Sequence, residues 1–119
     1  MQTKITYGYR DAANNRREGV WIVKGMCSQS QAEHLRKACL QEDGHYYFVP
    51  TVIGMPDIIP TPWDDELDHP MCTIEDIEMV GEAPDDERTM HGLIEEFRSH
   101  DWEMEAAQVT KTRSLSTQR

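Results

Sequence analysis

The sequence predicts an α+β fold, with a small, mostly antiparallel sheet and two helices packed on one of its faces. Two observations support this prediction. Short runs of β-branched and aromatic residues indicate strands, and two segments with apolar residues three and four positions apart indicate helices. The predicted order of elements is ββαββα. We expect one domain over residues 1–104, followed by a disordered basic tail over residues 105–119.

The first two strands are predicted to form a hairpin. Residues 4–10 alternate between apolar and polar side chains, which is the pattern of a half-buried strand. Residues 18–24 form a compact β-branched and aromatic run, and the segment between the two runs is rich in turn-forming residues. Because the connection is short, antiparallel pairing is favoured.

The first helix is predicted over residues 29–41. Ser28 is a suitable N-cap, and Gln31, three residues later, completes the spacing of a capping box. Apolar residues then recur mainly at intervals of three and four, which indicates a helix with one buried face. Asp43 and Gly44 are interpreted as its end, with glycine in the C′ position.

Two further strands, over residues 45–49 and 73–80, flank a loop that contains several prolines. The loop also carries apolar side chains such as Trp63, so we expect it to lie across the sheet or its edge. The last helix is predicted over residues 89–102, with its cap in the preceding acidic segment. The side chains expected in the core are Trp21, Tyr47 and Phe97.

Charge is distributed very unevenly along the chain, which has a formal net charge of −10 at neutral pH. Residues 38–87 contain fourteen acidic residues and no Lys or Arg. The rest of the chain carries eight acids and twelve bases. This asymmetry favours cationic partners and opposes direct binding to nucleic acid, which requires a net cationic face.

Several classes of protein are disfavoured by the composition. No apolar run approaches the length of a membrane span, and the N-terminus lacks the apolar segment of a secretory signal. Cys27, Cys39 and Cys72 have no paired spacing, which argues against a disulfide framework or a structural zinc site. We therefore expect a cytoplasmic protein without a cofactor or a membrane partner.

Four segments of the chain form a distinctive series: YRDAANN, YYFVP, GMPDI and WDDELDHP, followed by a strand. The series resembles a family of small uncharacterised bacterial proteins, whose members show Y-x-D-A-x-N, Y-F-x-P, G-L-P and W-D-x-x-L-D-H in this order. The resemblance covers residues 7–98. Family members tend to have Trp-His after the last segment, where this chain has Met71 and Cys72. The resemblance implies a compact cytoplasmic αβ domain and no particular activity.

The acidic knot, which we define as residues 64–69, is the first candidate site. Its carboxylates and imidazole could bind a divalent cation, and a small metal-dependent hydrolase or transferase would use Asp64, Asp68 and His69. The spacing does not follow the calcium-loop pattern. The competing interpretation is a solvated loop that Trp63 anchors to the domain.

Two further groups of residues are candidate sites. Cys72 follows His69 by three residues, but the surrounding carboxylates would raise the pKa of the thiol and disfavour a nucleophile. A cationic group could contact phosphates, although the net charge opposes this. Its members are Arg10, Arg16, Arg17 and Lys24.

The leading hypothesis is a non-enzymatic interaction protein that docks on a basic protein surface. It could act as a DNA-like decoy or inhibitor of a nucleic-acid-binding protein. Glu75 is expected on the other side of its strand from the contact residues. The alternatives are the metal-dependent enzyme and an acidic housekeeping domain whose charge serves solubility. The expected contact residues are Asp64, Asp65, Glu66, Asp68, Asp76 and Glu78.

Overall fold

The computed structural model describes residues 1–117, which form a single six-stranded sheet and three α-helices. The strands are β1 (Gln2–Arg10), β2 (Arg16–Lys24), β3 (Leu40–Glu42), β4 (His45–Phe48), β5 (Cys72–Val80) and β6 (Asp86–Thr89). The helices are α1 (Gln29–Lys37), α2 (Met90–Arg98) and α3 (Trp102–Thr117), and a short 3-10 helix spans Pro50–Ile53.

The strand order across the sheet is β3-β4-β5-β1-β2-β6. Pairing is antiparallel except between β2 and β6, which run parallel, so the sheet is mixed. The predicted α+β class is confirmed. The predicted ββαββα order is only partly right, because the sequence prediction missed β3, β6 and α3.

The β3–β4 hairpin corrects the predicted end of the first helix. The capping box of Ser28 and Gln31 is present, but α1 ends at Lys37. Asp43 and Gly44 both have positive φ and join two antiparallel strands. An Asp-Gly pair at positive φ suits a tight hairpin turn whose twist matches that of the strands, and this tertiary pairing prevails over a helix end.

The last helix of the prediction is two helices. α2 ends at Arg98, and a new cap follows, in which the Asp101 Oδ1 atom accepts a hydrogen bond from the Met104 backbone N–H at 3.2 Å. Glu103 and Glu105 then place negative charge in the first turn of α3, which favours its N-terminal dipole.

The predicted disordered tail over residues 105–119 is wrong as far as residue 117, because this segment belongs to α3. One of its basic side chains, that of Arg113, contacts acidic and aromatic partners elsewhere in the fold. The Arg113 guanidinium is 2.6 Å from Asp57 and lies over the Trp63 ring at 5.6 Å. Residues 118–119 lie outside the described residues.

The core occupies one face of the sheet, which carries Ile5, Tyr7 and Tyr9 of β1. Each of the three helices contributes buried side chains to this cluster, among them Leu35, Phe97 and Trp102. The proline-containing loop lies here as predicted, with Met55, Ile59 and Trp63 buried. We call the opposite face of the sheet the open face; it carries Lys4, Thr6 and Gly8 of β1. Val20 of β2 lies on this face and is 43% exposed.

The predicted core residues have different outcomes. Phe97 is fully buried, as predicted. Tyr47 is only half-buried, because the side chains of β4 alternate and Phe48 enters the core in its place. Trp21 is also half-buried; it packs against the core while its indole N–H donates a hydrogen bond to Asp86 of β6 at 2.9 Å.

Candidate functional site

The acidic knot is stabilised by its own hydrogen bonds. The Asp64 Oδ1 atom accepts from the backbone N–H of Glu66 at 2.9 Å, which closes a tight turn. One oxygen of Asp68 accepts from the Asp64 backbone N–H at 2.8 Å, and the other accepts from the Tyr9 hydroxyl at 2.5 Å. These carboxylates therefore fasten the loop to the end of β1.

Asp65 connects the acidic knot to the helix side of the protein. Its Oδ1 atom accepts from the Trp63 indole N–H at 2.8 Å, and its Oδ2 atom accepts from the Ser114 hydroxyl of α3 at 3.0 Å. Glu66 is exposed at the tip of the turn. Three of the four acids in the knot thus have structural partners.

His69 is held by both of its ring nitrogens. The Nε2 atom lies 2.7 Å from the Arg10 carbonyl oxygen, which can only accept, so this nitrogen carries the hydrogen. The Nδ1 atom accepts from the Met71 backbone N–H at 3.3 Å. In this arrangement neither nitrogen offers a free lone pair to a metal ion.

The metal-dependent alternative lacks a ligand set in this geometry. Within residues 1–117, no group of three or more His, Cys, Asp or Glu side chains is placed to hold a metal ion. Asp64 and Asp68 direct oxygens to backbone N–H groups, and His69 is already bonded. The loop interpretation agrees better with these contacts.

The Cys72–His69 pair is not arranged as a nucleophile and base. Cys72 is 1% exposed and pairs with Phe48 of β4 in the core. Burial raises the pKa of the thiol to about 12, so the reactive thiolate is disfavoured. The imidazole of His69 is held by Arg10 and Met71.

A β-bulge in β5 decides where its carboxylates lie. Thr6 pairs with Asp76, but the next residue, Tyr7, pairs with Ile74, so Glu75 is the extra residue. Asp76 therefore lies on the open face beside Thr6. The bulge breaks the two-residue alternation on which the prediction for Glu75 depended.

Glu75 lies on the open face as well, contrary to the prediction. A Cβ atom placed on Gly8 would come within 2.4 Å of the Glu75 Oε1 atom, so this carboxylate covers the glycine. The same oxygen accepts from the Thr73 hydroxyl at 3.0 Å. An alanine at position 8 would therefore require the Glu75 side chain to shift.

The six predicted contact residues therefore form two groups on different sides of the sheet. The acidic knot contacts Tyr9, Trp63 and α3 on the helix-covered side. Asp76 and Glu78 lie on the open face, paired with Thr6 and Lys4 of β1. The structure thus does not join them into one continuous patch.

A cavity of about 380 Å³ opens at the hairpin end of the open face. Arg10 and Arg16 of the predicted cationic group both line it, whereas Lys24 lies at the other end of β2, 3.8 Å from Glu87. The remaining polar and aromatic lining includes His45, Tyr47, Thr73 and Glu75. The cationic group was predicted from the sequence but the cavity was not, because strand pairing brings the other lining residues to Arg10 and Arg16.

None of the helices in the described part of the chain combines the length and apolar character needed to cross a bilayer. Comparisons with protein-family models, with curated proteins and with solved structures found no match to this chain. The resemblance to a family of small bacterial proteins therefore remains a prediction, and the function has to be inferred from the residues themselves.

Proposed function

We propose that this chain is a non-enzymatic interaction protein that docks on a basic protein surface through the open face of its sheet. The observation that carries the proposal is the β5 stripe, defined as Glu75, Asp76 and Glu78. These three carboxylates are exposed, and the bulge places Glu75 on the same face as the other two. The helices pack on the other face and leave the stripe accessible.

The stripe retains a negative potential in spite of a neighbouring cation. Lys4 lies 3.4 Å from Glu78, so one ammonium group faces the three carboxylates of the stripe and leaves it with a net negative charge. Exposed Glu82 and Glu87 follow beyond the end of β5. Clustered charges of one sign accelerate the approach of an oppositely charged partner.

A DNA-like decoy is the more specific form of this proposal. Residues 38–87 supply fourteen carboxylates without a Lys or Arg, which resembles the uniform sign of a phosphate backbone. In this form the partner is a nucleic-acid-binding protein, and duplex DNA would compete for the same basic surface. The exposed acids of the acidic knot then add to the long-range field from the other side of the sheet.

The test uses two variants that lose the same charge from different faces. The first is Asp76→Asn with Glu78→Gln on the open face. The matched control is Glu33→Gln with Glu103→Gln, which changes exposed residues of α1 and α3. Both variants and the unchanged chain are used to capture partners from a lysate of the source organism, and the association rate of any captured protein is measured at increasing salt.

We expect the unchanged chain and the helix control to retain the same basic protein, with an association rate that falls steeply with salt. The open-face variant should lose most of this binding. Equal binding by the two variants would contradict docking through the β5 stripe and would leave the acidity as a solubility device. Competition by duplex DNA would support the decoy form specifically.

A further inference from the structure

We infer that the cavity at the hairpin end of the open face binds a small zwitterion with a carboxylate and an ammonium group, such as a free amino acid or a dipeptide. The cavity lies between the end of the β1–β2 hairpin on one side and β4 and β5 on the other. Its volume of about 380 Å³ lies within the size range of small-molecule sites. This inference shares Glu75 with the β5 stripe but does not require that a protein partner docks there.

The cationic side of the cavity consists of Arg10 and Arg16. These two residues are direct cross-strand partners, so two like charges face each other at the end of the hairpin. Both are exposed, and neither guanidinium forms an ion pair or hydrogen bond with another described residue. A ligand carboxylate between them would relieve their repulsion and accept paired N–H donors.

Asp11 lines the same cavity and carries a negative charge, but among the described residues its carboxylate forms no ion pair with either guanidinium. Its Oδ1 atom accepts from the Asn15 backbone N–H at 2.9 Å, and its Oδ2 atom accepts from the Asn15 side-chain amide at 3.0 Å. Both oxygens are therefore used to close the hairpin turn. A carboxylate in direct contact with Arg10 and Arg16 would therefore come from a ligand.

The anionic side of the cavity is Glu75. The β-bulge places its carboxylate over Gly8, and the Thr73 hydroxyl donates to its Oε1 atom at 3.0 Å. A carboxylate has lone pairs for several hydrogen bonds, so Glu75 can also accept from a ligand ammonium. With guanidinium groups on one side and a carboxylate on the other, the cavity matches a ligand with opposite charges at its two ends.

The remaining walls favour an amino acid over a phosphate. Tyr47 and His45 are in edge-to-face contact at 6.1 Å between ring centroids, and they offer an aromatic wall to a ligand side chain together with Met71. A phosphate would place about two negative charges close to Glu75 and would be repelled. A carboxylate carries less charge, and its accompanying ammonium group pairs with Glu75.

The experiment is an NMR titration of the full chain labelled with ¹⁵N. The probes are the twenty L-amino acids and their glycyl dipeptides, followed by the deaminated and the decarboxylated analogue of the strongest binder. Inorganic phosphate is the anion control. We expect the zwitterion to shift the amide signals of Gly8 and Thr73 in a saturable way, and each analogue to bind at least about tenfold more weakly.

Three variants separate the roles of the charged residues. Glu75→Gln should reduce the affinity for the zwitterion to that for its deaminated analogue, since only the ammonium contact is lost. The double change Arg10→Gln with Arg16→Gln should abolish binding of both the zwitterion and its deaminated analogue. Arg17→Gln is the matched control, because Arg17 pairs with Tyr9 and does not line this cavity. Its affinity should be unchanged, and thermal unfolding verifies that each variant is folded.

The inference is overturned if no probe shifts these signals at concentrations up to about 10 mM. It is also overturned if phosphate binds as tightly as the best amino acid and Glu75→Gln has no effect, because the site would then recognise anions alone. The open-face variant Asp76→Asn with Glu78→Gln should keep its affinity for the zwitterion. A failure of this inference is thereby distinguishable from a failure of partner docking.

Discussion

The Tyr9 hydroxyl donates a hydrogen bond of 2.5 Å to the Asp68 carboxylate and so joins the end of β1 to the acidic knot. Tyr9 is 2% exposed, and the second oxygen of Asp68 accepts from the Asp64 backbone N–H. A neutral phenol in this position both satisfies the carboxylate and fills the core. The densest acidic segment of the sequence thus has a structural role, because it attaches the loop to β1.

Alkaline pH should destabilise the fold through its two buried tyrosines. Burial raises the pKa of Tyr7 and of Tyr9 above their ordinary value, and the hydrogen bond to Asp68 raises the pKa of Tyr9 further. Because the unfolded phenols titrate near pH ~10, the fold is most stable below that pH and loses stability as pH rises above it. Urea unfolding between pH 8 and 11, followed with phenolate absorbance, measures this effect.

Tyr9→Phe provides the control for that pH dependence. In this variant the unfolding free energy should fall less steeply as the pH rises above ~10, and the fall that remains should come from Tyr7. It should also cost about 1–3 kcal/mol at neutral pH, because one oxygen of Asp68 is left without its donor. Ordinary titration of all tyrosines near pH 10 in a chain that remains folded would contradict this account.

Two glycines should respond in opposite ways to alanine. A Cβ atom on Gly19 would lie 2.6 Å from Cζ of Tyr7, whose ring is fully buried and whose hydroxyl donates to the Pro56 carbonyl. Gly19→Ala should therefore cost about 1–3 kcal/mol of unfolding free energy. Gly92 in α2 has room, with Arg88 Cβ at 3.8 Å, so Gly92→Ala should stabilise by about 0.4–1 kcal/mol.

Urea unfolding of both glycine variants at neutral pH gives the comparison. Both changes add one methyl group, which meets the Tyr7 ring at position 19 and has room in a helix at position 92. Tolerance of alanine at position 19 would mean that Tyr7 does not occupy the space opposite this glycine.

Features set by neighbouring residues were predictable from the sequence. The capping box of α1 needs only Ser28 and Gln31, and both of its hydrogen bonds are present at 3.1 and 3.0 Å. The alternation of β1 correctly placed Ile5, Tyr7 and Tyr9 on one face, because a regular strand keeps its period.

Features set by distant residues were not predictable. The bulge at Glu75 arises from the pairing of β5 with β1, so counting alternate residues along β5 gave the wrong side. Within residues 102–114, α3 packs on the core through Trp102, Ala106 and Val109. Its docking also depends on Arg113, which contacts a distant residue of the loop. The cavity likewise depends on strands that are distant in sequence.

Phe97 and Tyr47 should differ in their contribution to stability, although both were predicted to be buried. Phe97 is fully buried and contacts Phe48 and Trp102, each with ring centroids 5.3 Å from its own. Phe97→Ala should cost about 3–5 kcal/mol. Tyr47→Ala should cost less than about 1.5 kcal/mol, because Tyr47 is half-buried on the open face. Equal losses in urea unfolding would contradict the assigned faces of β4.

The contact between Arg113 and Asp57 should contribute measurably to the free energy of unfolding, because it joins α3 to the loop. The two side chains are 21% and 34% exposed, so solvent screening limits the pair to about 0.5–1 kcal/mol of coupling in a double-mutant cycle of Arg113→Gln and Asp57→Asn. Arg113→Gln alone should cost more than Asp57→Asn, because it also removes the guanidinium from the Trp63 ring.

Lys111→Gln, at an exposed position of the same helix, is the control and should change stability by less than about 0.5 kcal/mol. Unfolding free energies give the cycle, and circular dichroism at 222 nm reports whether α3 stays helical. Absence of coupling, with equal small effects of all three changes, would show that α3 does not dock on the loop in solution.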